Sequence, residues 1–355
     1  MSLAQHHDEL ITTAAAIASP GKGLLAADES TGTIGKRFAG VGVENTEENR
    51  RAYRSLLATA EGLGQYISGM ILYEETLFQD AVDGMPIVGH MQRQGMVPGI
   101  KVDLGVQPLA GGLTGETFCT GLSGLQERAA RYYARGARFA KWRAVLRISA
   151  EGAPSALAVL ESAWGLARYA RTVQEEGLVP IVEPEILMDG DHDITTTAAA
   201  QERVLREVYG ALAENGVLLE GSLLKPSMTT AGASHAERQA PQQVAEMTVR
   251  TLRRAVPAAV PGILFLSGGL GEEEASLYLD AINRAGRRAP WNLGFSYGRA
   301  LQHSCLKQWS GQDVAAGQRA LLARARANSE ASLGAYQPGS QPSDDESLFV
   351  AGYAY

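Results

Sequence analysis

Short apolar runs recur along the chain and are separated by longer segments with mixed polarity. The runs are rich in β-branched and other apolar residues and lie at residues 23–28, 69–75, 97–103, 138–145, 179–186, 217–227, 262–269 and 292–298. Runs of this length and composition are typical of strands that are buried on both faces. The segments between them repeat apolar residues at helical spacing. The pattern therefore predicts eight strands that alternate with helices.

The ends of several helical segments carry recognisable start signals. Asn45 and Glu48 precede RRAYRSLLATA, and Ser123 and Gln126 precede ERAARYYARG, in both cases at the spacing of a capping box. Pro241 opens PQQVAEMTVRTLRRAV, and proline suits the first helical turn because its missing N–H is not needed there. We expect helices to begin at these three places.

Eight strand–helix units without a break in composition predict an α/β fold, a (β/α)8 TIM barrel in a single domain. The barrel is expected to span residues 1–330, and residues 331–355, which are polar and without periodicity, to form a flexible C-terminal tail. An open doubly wound sheet is the structural alternative. The dinucleotide-binding pattern G-x-G-x-x-G does not follow an early strand, which argues against that alternative.

Composition narrows the class of protein. The 355 residues are 45% hydrophobic and 20% charged and carry a formal net charge of −7, which disfavours binding to nucleic acid or an anionic membrane. Two cysteines argue against a disulfide scaffold and for a reducing compartment. The start of the chain lacks the features of a signal peptide, and no apolar run approaches the roughly 20 residues needed to span a bilayer. We expect a cytoplasmic protein.

Charged residues interrupt the predicted strands near their carboxyl ends. Lys141, Glu183, Lys225 and Ser267 are each separated by 42 residues. If each strand–helix unit has that length, residues 42 apart lie at the same height on neighbouring strands of the barrel. Because active sites of TIM barrels lie at the carboxyl ends of the strands, we expect these side chains to converge there. A single charge at a strand end is usually a solvated rim residue, but a periodic set with both signs predicts a site.

The predicted site has the composition of an imine-forming centre. Lys225 ends an apolar run, and a neighbouring Lys141 in a partly desolvated pocket would disfavour its ammonium form. A free amine attacks a carbonyl group and forms a Schiff base, which accepts electrons from an adjacent carbon–carbon bond. Asp28, Glu183 and Glu185 are candidates for the accompanying proton transfers. The sequence leaves open which of Glu183 and Glu185 faces the lysine.

Two glycine-rich motifs follow the last two strands, where phosphate sites recur in TIM barrels. The motif LSGGLG spans residues 266–271, and FSYGRA spans 295–300 and contributes Ser296, Gly298 and Arg299. Backbone N–H groups, hydroxyls and a guanidinium all bind phosphate well. The segment DESTGTIGKR after the first strand is a candidate for a second phosphate site, with a solvated basic loop as the alternative.

Seven separated motifs resemble class-I fructose-1,6-bisphosphate aldolase, the metal-independent type that forms a Schiff base with its substrate. They are GLLAADESTGTIGKR, KVD, FAKWR, VPIVEPEI, LEGSLLKP, LSGG and FSYGRAL, and the similarity extends from about residue 8 to 330. The resemblance implies reversible cleavage of fructose 1,6-bisphosphate to dihydroxyacetone phosphate and glyceraldehyde 3-phosphate. It further implies a small phosphorylated sugar as the substrate, no metal cofactor and a homotetramer.

The resemblance also assigns roles to residues. Lys225 is implied as the Schiff-base lysine, Glu183 as the main acid and base, and Asp28 as the group that takes the proton from the hydroxyl at position four. Lys141 and Glu185 are placed beside them in the same centre. The residues implied in substrate binding, by the resemblance or by the phosphate motifs, are Ser30, Thr33, Arg37, Lys101, Arg143, Ser267, Gly268, Gly269, Ser296, Gly298 and Arg299.

The tail departs from the family at one position. The family ends in a tyrosine that folds over the active site and assists proton exchange, and Tyr355 matches it. Tyr353, however, stands where a histidine is often found.

Two other functional classes remain as alternatives. A metalloenzyme would depend on the motif DGDHDI at residues 189–194, but the six histidines do not form the short spaced pairs that zinc sites use. A scaffold without catalytic activity is possible for any fold. A scaffold role is disfavoured because a protein that has lost catalysis is expected to lose some of the charged site residues, and this sequence has all of them.

Overall fold

A computed structural model describes residues 3–286, 289–344 and 346–353, and eight of its strands form a closed parallel barrel. The strands are β1 (Gly23–Ala27), β2 (Ile67–Leu72), β3 (Val97–Lys101), β4 (Val106–Pro108), β5 (Thr117–Cys119), β6 (Phe139–Leu146), β7 (Val179–Ile186), β8 (Leu223–Leu224), β9 (Gly262–Phe265) and β10 (Asn292–Tyr297). The order around the barrel is β1-β10-β9-β8-β7-β6-β3-β2. The predicted TIM barrel is confirmed, and the open sheet is excluded.

Helices surround the barrel and cover the outer faces of its strands. They are α1 (Leu3–Ile17), α2 (Thr31–Ala39), α3 (Glu47–Thr59), α4 (Glu74–Phe78), α5 (Ile87–Arg93), α6 (Leu125–Ala134), α7 (Ala156–Glu175), α8 (Ile194–Glu214), α9 (Pro241–Ala255), α10 (Glu272–Ala285), α11 (Arg299–Trp309) and α12 (Val314–Ser332). Each barrel strand is buried on both faces, which explains why the strand sequences are continuously apolar rather than alternating. Within the described residues, no helix is both long and apolar enough to span a membrane.

Two predicted helix starts are wrong by one residue. Helix α3 is capped by Thr46, whose hydroxyl accepts a hydrogen bond from the N–H of Asn49 at 3.1 Å. The preceding Asn45 instead donates its amide to the carbonyl of Thr31, which removes it from the cap. Helix α6 is preceded by Gly124 in a left-handed conformation, without a side-chain cap. The prediction that Pro241 opens a helix is confirmed.

The amino-terminal end of the barrel is closed by α1. Its residues Leu10, Ala14 and Ile17 are fully buried and belong to one apolar cluster with barrel-lining side chains such as Phe139. Glycine on the neighbouring strand β3 makes room for that ring, since a Cβ at Gly99 would overlap it. This apolar cluster fills the amino-terminal end of the barrel.

Two further features lie at the carboxyl end of the barrel, and the first of them was not predicted from the sequence. Strands β4 and β5 form a short antiparallel hairpin after β3. Helix α12 ends at Ser332, two residues beyond the predicted boundary, and the chain then returns across the barrel to Tyr353. The tail therefore lies beside the residues that the sequence analysis selected. Tyr355 lies outside the described residues.

Candidate active site

Lys225 directly follows the shortest barrel strand, β8. Its backbone N–H donates to the carbonyl of Val182 at 2.8 Å, which continues the pairing with β7 for one more residue. The side chain is only 4% exposed, and its Nζ lies 3.2 Å from Oε1 of Glu183. A buried ammonium needs a carboxylate partner of this kind to offset the loss of hydration.

The register of the strands explains why this pair meets. Ile181 on β7 pairs with Leu223 on β8, so Glu183 and Lys225 are level two residues further along. On the other side Glu183 pairs with Arg143, and Lys141 lies two residues before that arginine. Residues two apart on a strand share a face, so all of these side chains point into the barrel. The 42-residue spacing thus matches the register at β7 and β8 and differs from it by two residues at β6.

Lys141 links two carboxylates. Its Nζ lies 3.0 Å from Oδ2 of Asp28 and 3.2 Å from Oε2 of Glu183, and the residue is completely buried. The four side chains form an alternating row of charges in the order Asp28, Lys141, Glu183, Lys225. Burial alone would raise the pKa of Asp28, but the ammonium groups of Lys141 and Lys225 outweigh it and lower the pKa to about 2. Asp28 is consequently ionised at neutral pH.

Glu185 has a different partner from Glu183. It accepts a hydrogen bond from Nε of Arg143 at 2.5 Å. Burial opposes ionisation of Glu185, but this guanidinium lowers the pKa of the carboxyl below its usual value. The question that the sequence left open is answered by geometry, since Glu183 contacts Lys225 and Glu185 contacts Arg143. Lys101, at the end of β3, is held by the carboxylate and the carbonyl of Asp103.

These groups surround a cavity of about 60 Å³ at the carboxyl end of the barrel. Of the residues predicted for the site, those that line it are Asp28, Arg37, Arg143, Glu183, Glu185, Lys225, Ser267, Gly268, Ser296, Gly298 and Arg299. Predicted residues that are not part of its lining are Ser30, Thr33, Lys101, Lys141 and Gly269. Lys141 nevertheless belongs to the row of charges through its two carboxylate contacts.

One side of the cavity has the features of an anion site. Gly268 and Gly269 have φ angles of 60° and 105°, which only glycine adopts easily, and they turn the chain after β9. The Oγ of Ser296 is buried and has no hydrogen-bond partner among the described residues. Helix α11 begins at Arg299, so its free N–H groups and positive dipole end face the same region. Burial and the other guanidinium groups lower the pKa of Arg299, although arginine stays protonated at neutral pH.

Helix α2 contributes a second guanidinium to the cavity. Ser30 caps this helix by accepting from the N–H of Thr33 at 3.3 Å, and the two hydroxyls are 3.0 Å apart. Arg37, one turn further, lines the cavity and forms an ion pair with Glu29. A Cβ at Gly298 would lie 3.9 Å from Nη2 of Arg37, so this guanidinium lies close to the start of α11.

Comparison with known proteins identifies the family. The family model for class-I fructose-bisphosphate aldolase matches residues 9–355 of this chain. The chain belongs to the class-I fructose-bisphosphate aldolase family.

Individual relatives agree with this assignment. The cytoplasmic aldolase isozyme of Spinacia oleracea is 57% identical over 354 residues, which cover 99% of this chain and 98% of the spinach protein. The chloroplastic aldolase 2 of Arabidopsis thaliana is 56% identical over 98% of this chain and 87% of its own. A solved aldolase from Plasmodium falciparum, in complex with TRAP and a small-molecule inhibitor, superposes with a TM-score of 0.93. It is 53% identical and covers 95% of this chain and 97% of its own. The protein is a fructose-bisphosphate aldolase that acts on a phosphorylated sugar.

Three residues of the aldolase site were not assigned a role by the sequence analysis. Glu29 is buried and accepts from Arg37 and from Arg54, the latter at 2.6 Å, and these guanidinium groups lower its pKa against the effect of burial. Asp103 holds Lys101. Tyr353 enters the cavity from the tail. Glu29 had a signal, because it stands beside Asp28 in an otherwise small-residue stretch, whereas the docking of Tyr353 depends on tertiary structure alone.

The acidic motif at residues 189–194 has other tasks in this aldolase. Asp193 caps α8, and its hydrogen bonds from Thr195 and Thr196 lower its pKa to about 2. Asp189 accepts from the N–H of Gly352 in the tail at 2.6 Å. Among the described residues, ligand atoms close enough for a shared cation occur at His303, Asp344 and Glu346 instead. There Lys307 already contacts both carboxylates.

Proposed function

We propose that this aldolase cleaves fructose 1,6-bisphosphate through a Schiff base on Lys225. The observation that carries the proposal is the buried row of alternating charges, in which Lys225 and Glu183 are 3.2 Å apart. Glu183 takes a proton from the ammonium of Lys225, and the free amine attacks the ketone carbon of the substrate. A proton then moves from the nitrogen to the alkoxide oxygen, which gives a carbinolamine. Glu183 returns its proton to the hydroxyl, so that water leaves and an iminium ion remains. The iminium is the electron sink for the next step.

Asp28 acts in the cleavage step. Its carboxylate takes the proton of the hydroxyl at position four, the bond between carbons three and four breaks, and its electron pair moves onto the iminium to give an enamine. Glyceraldehyde 3-phosphate leaves at this stage. Protonation of the enamine carbon by the Tyr355 phenol and hydrolysis of the imine release dihydroxyacetone phosphate and free Lys225. The ammonium of Lys141 lies 3.0 Å from Asp28 and stabilises the Asp28 carboxylate. The Glu183 carboxylate in turn compensates the positive charge of Lys141.

The two phosphates bind to separate sets of residues. Ser267, Gly268, Gly269, Ser296, Gly298 and Arg299 hold the phosphate of the dihydroxyacetone half. The Oγ of Ser296, unpartnered among the described residues, and the start of α11 support this assignment. Ser30, Thr33, Arg37 and Lys101 hold the other phosphate, with Glu29 orienting Arg37. Arg143 and Glu185 form a further polar part of the lining.

The enzyme works without a metal ion, as a homotetramer in the cytoplasm. Iminium formation supplies the electron sink that a metal-dependent aldolase obtains from its cation. An exposed apolar stripe on α7, formed by Leu157, Leu160 and Trp164 at helical spacing, supports association between subunits. The cytoplasmic location follows the spinach relative and the cysteine usage, whereas the Arabidopsis relative is chloroplastic.

Replacement of the nucleophile tests the proposal. Lys225→Arg keeps the positive charge beside Glu183 but removes the attackable amine, because a guanidinium stays protonated. We expect cleavage of fructose 1,6-bisphosphate to fall by several orders of magnitude, on the scale of losing covalent catalysis, with an unchanged circular dichroism spectrum. EDTA should leave turnover of the parent enzyme unchanged. Retained cleavage in the variant, or loss of activity in EDTA that zinc restores, would contradict the proposal.

A further inference from the structure

Tyr353 contacts all three arginines of the cavity. Its hydroxyl accepts a hydrogen bond from Arg37 at 3.3 Å, and its backbone carbonyl accepts one from Arg143 at 2.9 Å. The guanidinium of Arg299 lies over its ring, 4.3 Å from the ring centre. A cation above an aromatic face at this distance is an attractive interaction. One tail residue therefore occupies the groups that are proposed to bind both phosphates.

Tyr353 occupies part of the cavity that the substrate would need. It lines the cavity together with Arg37, Arg143 and Arg299. A sugar bisphosphate needs such guanidinium groups for its phosphates. Tyr353 and a bound bisphosphate consequently compete for the same groups.

The rest of the tail holds Tyr353 close to the cavity. The N–H of Asp344 donates to the buried carboxylate of Glu272 at 2.9 Å, and the Asp344 carboxylate accepts from Lys307 at 2.8 Å. Further along, the carbonyl of Leu348 accepts from Arg299, and the N–H of Gly352 donates to Asp189. A tethered group competes as if it were present at millimolar concentration, so weak individual contacts suffice.

We propose that Tyr353 is a built-in competitor for the phosphate subsites, which the substrate must displace and which thereby sets the Michaelis constant. The proposal rests on the assignment of Arg37 and Arg299 to phosphate binding. The family often has histidine at this position, which lacks the phenol that reaches Arg37 here. The residue thus determines affinity for the substrate and has no part in bond cleavage.

The size of the effect on affinity follows from the fraction of molecules in which Tyr353 has left the cavity, which is the open state. The apparent dissociation constant of a ligand equals its intrinsic value divided by the fraction of molecules in which the site is free. The cation–π contacts of Tyr353 with Arg299 and Arg143 and its hydrogen bond from Arg37 favour the closed state, in which Tyr353 occupies the cavity. Contacts of this kind favour it by a factor of roughly 3 to 30. Removing them should tighten phosphate binding by that factor.

The test uses inorganic phosphate as the probe, measured by titration calorimetry at constant ionic strength on the full-length enzyme. Tyr353→Ala should bind phosphate roughly 3- to 30-fold more tightly than the parent. Tyr353→Phe keeps the ring over Arg299 and loses the hydrogen bond from Arg37, so its gain in affinity should be smaller than that of Tyr353→Ala. The matched control is Tyr336→Phe, which removes a tail phenol that contacts Glu273 outside the cavity, and it should leave the affinity unchanged.

Kinetics supply the second readout. The Michaelis constant for fructose 1,6-bisphosphate should fall in Tyr353→Ala by the same factor as the phosphate dissociation constant. The single-turnover rate of Schiff-base formation at saturating dihydroxyacetone phosphate should not change. Unchanged or weaker phosphate binding in Tyr353→Ala would overturn the proposal, since Tyr353 would then be neutral or a ligand contact. The calorimetric result involves no carbon–carbon chemistry, so it stands even if Lys225→Arg retains cleavage and the proposed function fails.

Discussion

The Nζ of Lys225 lies 3.2 Å from Oε1 of Glu183, and both side chains are almost completely buried. In this arrangement the carboxylate stabilises the lysine ammonium before the substrate arrives. It is also within proton-transfer distance of the atom at which carbinolamine and imine form. The same carboxylate contacts Lys141 through its other oxygen, so its position is fixed from two sides. Glu183 is therefore placed to serve both steps of imine formation.

Replacing Glu183 tests this role. Glu183→Gln keeps the size of the side chain but removes the exchangeable proton, so imine formation and hydrolysis should both slow. We expect kcat to fall by roughly 10²- to 10⁴-fold, the usual contribution of a general acid or base. The rate of borohydride-trapped imine formation is the measurement. A variant that forms the imine at the parent rate would show that another group moves this proton.

The buried carboxylate of Asp28 makes stability depend on pH. Its pKa is about 2 in the folded chain against 3.8 for an aspartate in water, so the ionised form stabilises the folded state above about pH 4. This contribution, on the order of 2 kcal/mol, is lost as the pH falls from about 4 towards about 2. The free energy of unfolding of the parent should exceed that of Asp28→Asn at pH 7, and the difference should shrink by pH 3.

Urea titrations at several pH values provide this comparison. Asp191→Asn, an exposed substitution outside the charged row, is the control and should follow the parent curve at every pH. A difference between the parent and Asp28→Asn that stays constant from pH 7 to pH 3 would show that the Asp28 carboxylate does not carry this stabilisation.

The order of strands and helices was readable from the sequence because each barrel strand is a continuous apolar run. Charged residues interrupt that pattern inside β6 and β7 and directly after β8, and this is why Lys141, Glu183 and Lys225 could be predicted as site residues. The hairpin of β4 and β5 escaped because each of its strands has only three residues and neither is buried. Exposed strands of this length do not produce the apolar run by which the barrel strands were recognised.

The sequence predicted that Lys141, Glu183 and Lys225 converge, but it did not predict the individual contacts between distant residues. Lys141 is 113 residues from its partner Asp28, and their contact depends on the closure of the barrel. Tyr353 is 316 residues from Arg37. The cap of α3 was misplaced for a local reason, since Asn45 and Thr46 are both good caps and a tertiary hydrogen bond to Thr31 decides between them. The choice between Glu183 and Glu185 depended in the same way on their partners, Lys225 and Arg143.

Deletion of Tyr355 tests whether the tail takes part in proton transfer. If its phenol relays the proton of the enamine, the truncated enzyme should still break the carbon–carbon bond, because that step needs only the buried row. Solvent deuterium exchange into dihydroxyacetone phosphate should slow by roughly 10²- to 10⁴-fold, and the enamine should accumulate. Mass spectrometry of the product beside steady-state cleavage separates the two steps. Exchange at the parent rate would remove Tyr355 from the mechanism.

The most direct test of the central claim is reductive trapping at Lys225. The enzyme is incubated with dihydroxyacetone phosphate and sodium borohydride, digested and mapped by mass spectrometry. The account predicts one stable adduct on the peptide that contains Lys225, together with loss of activity, and no adduct in Lys225→Arg. An adduct on Lys141 or Lys101 in the parent, or none on any lysine while the enzyme still cleaves its substrate, would contradict it.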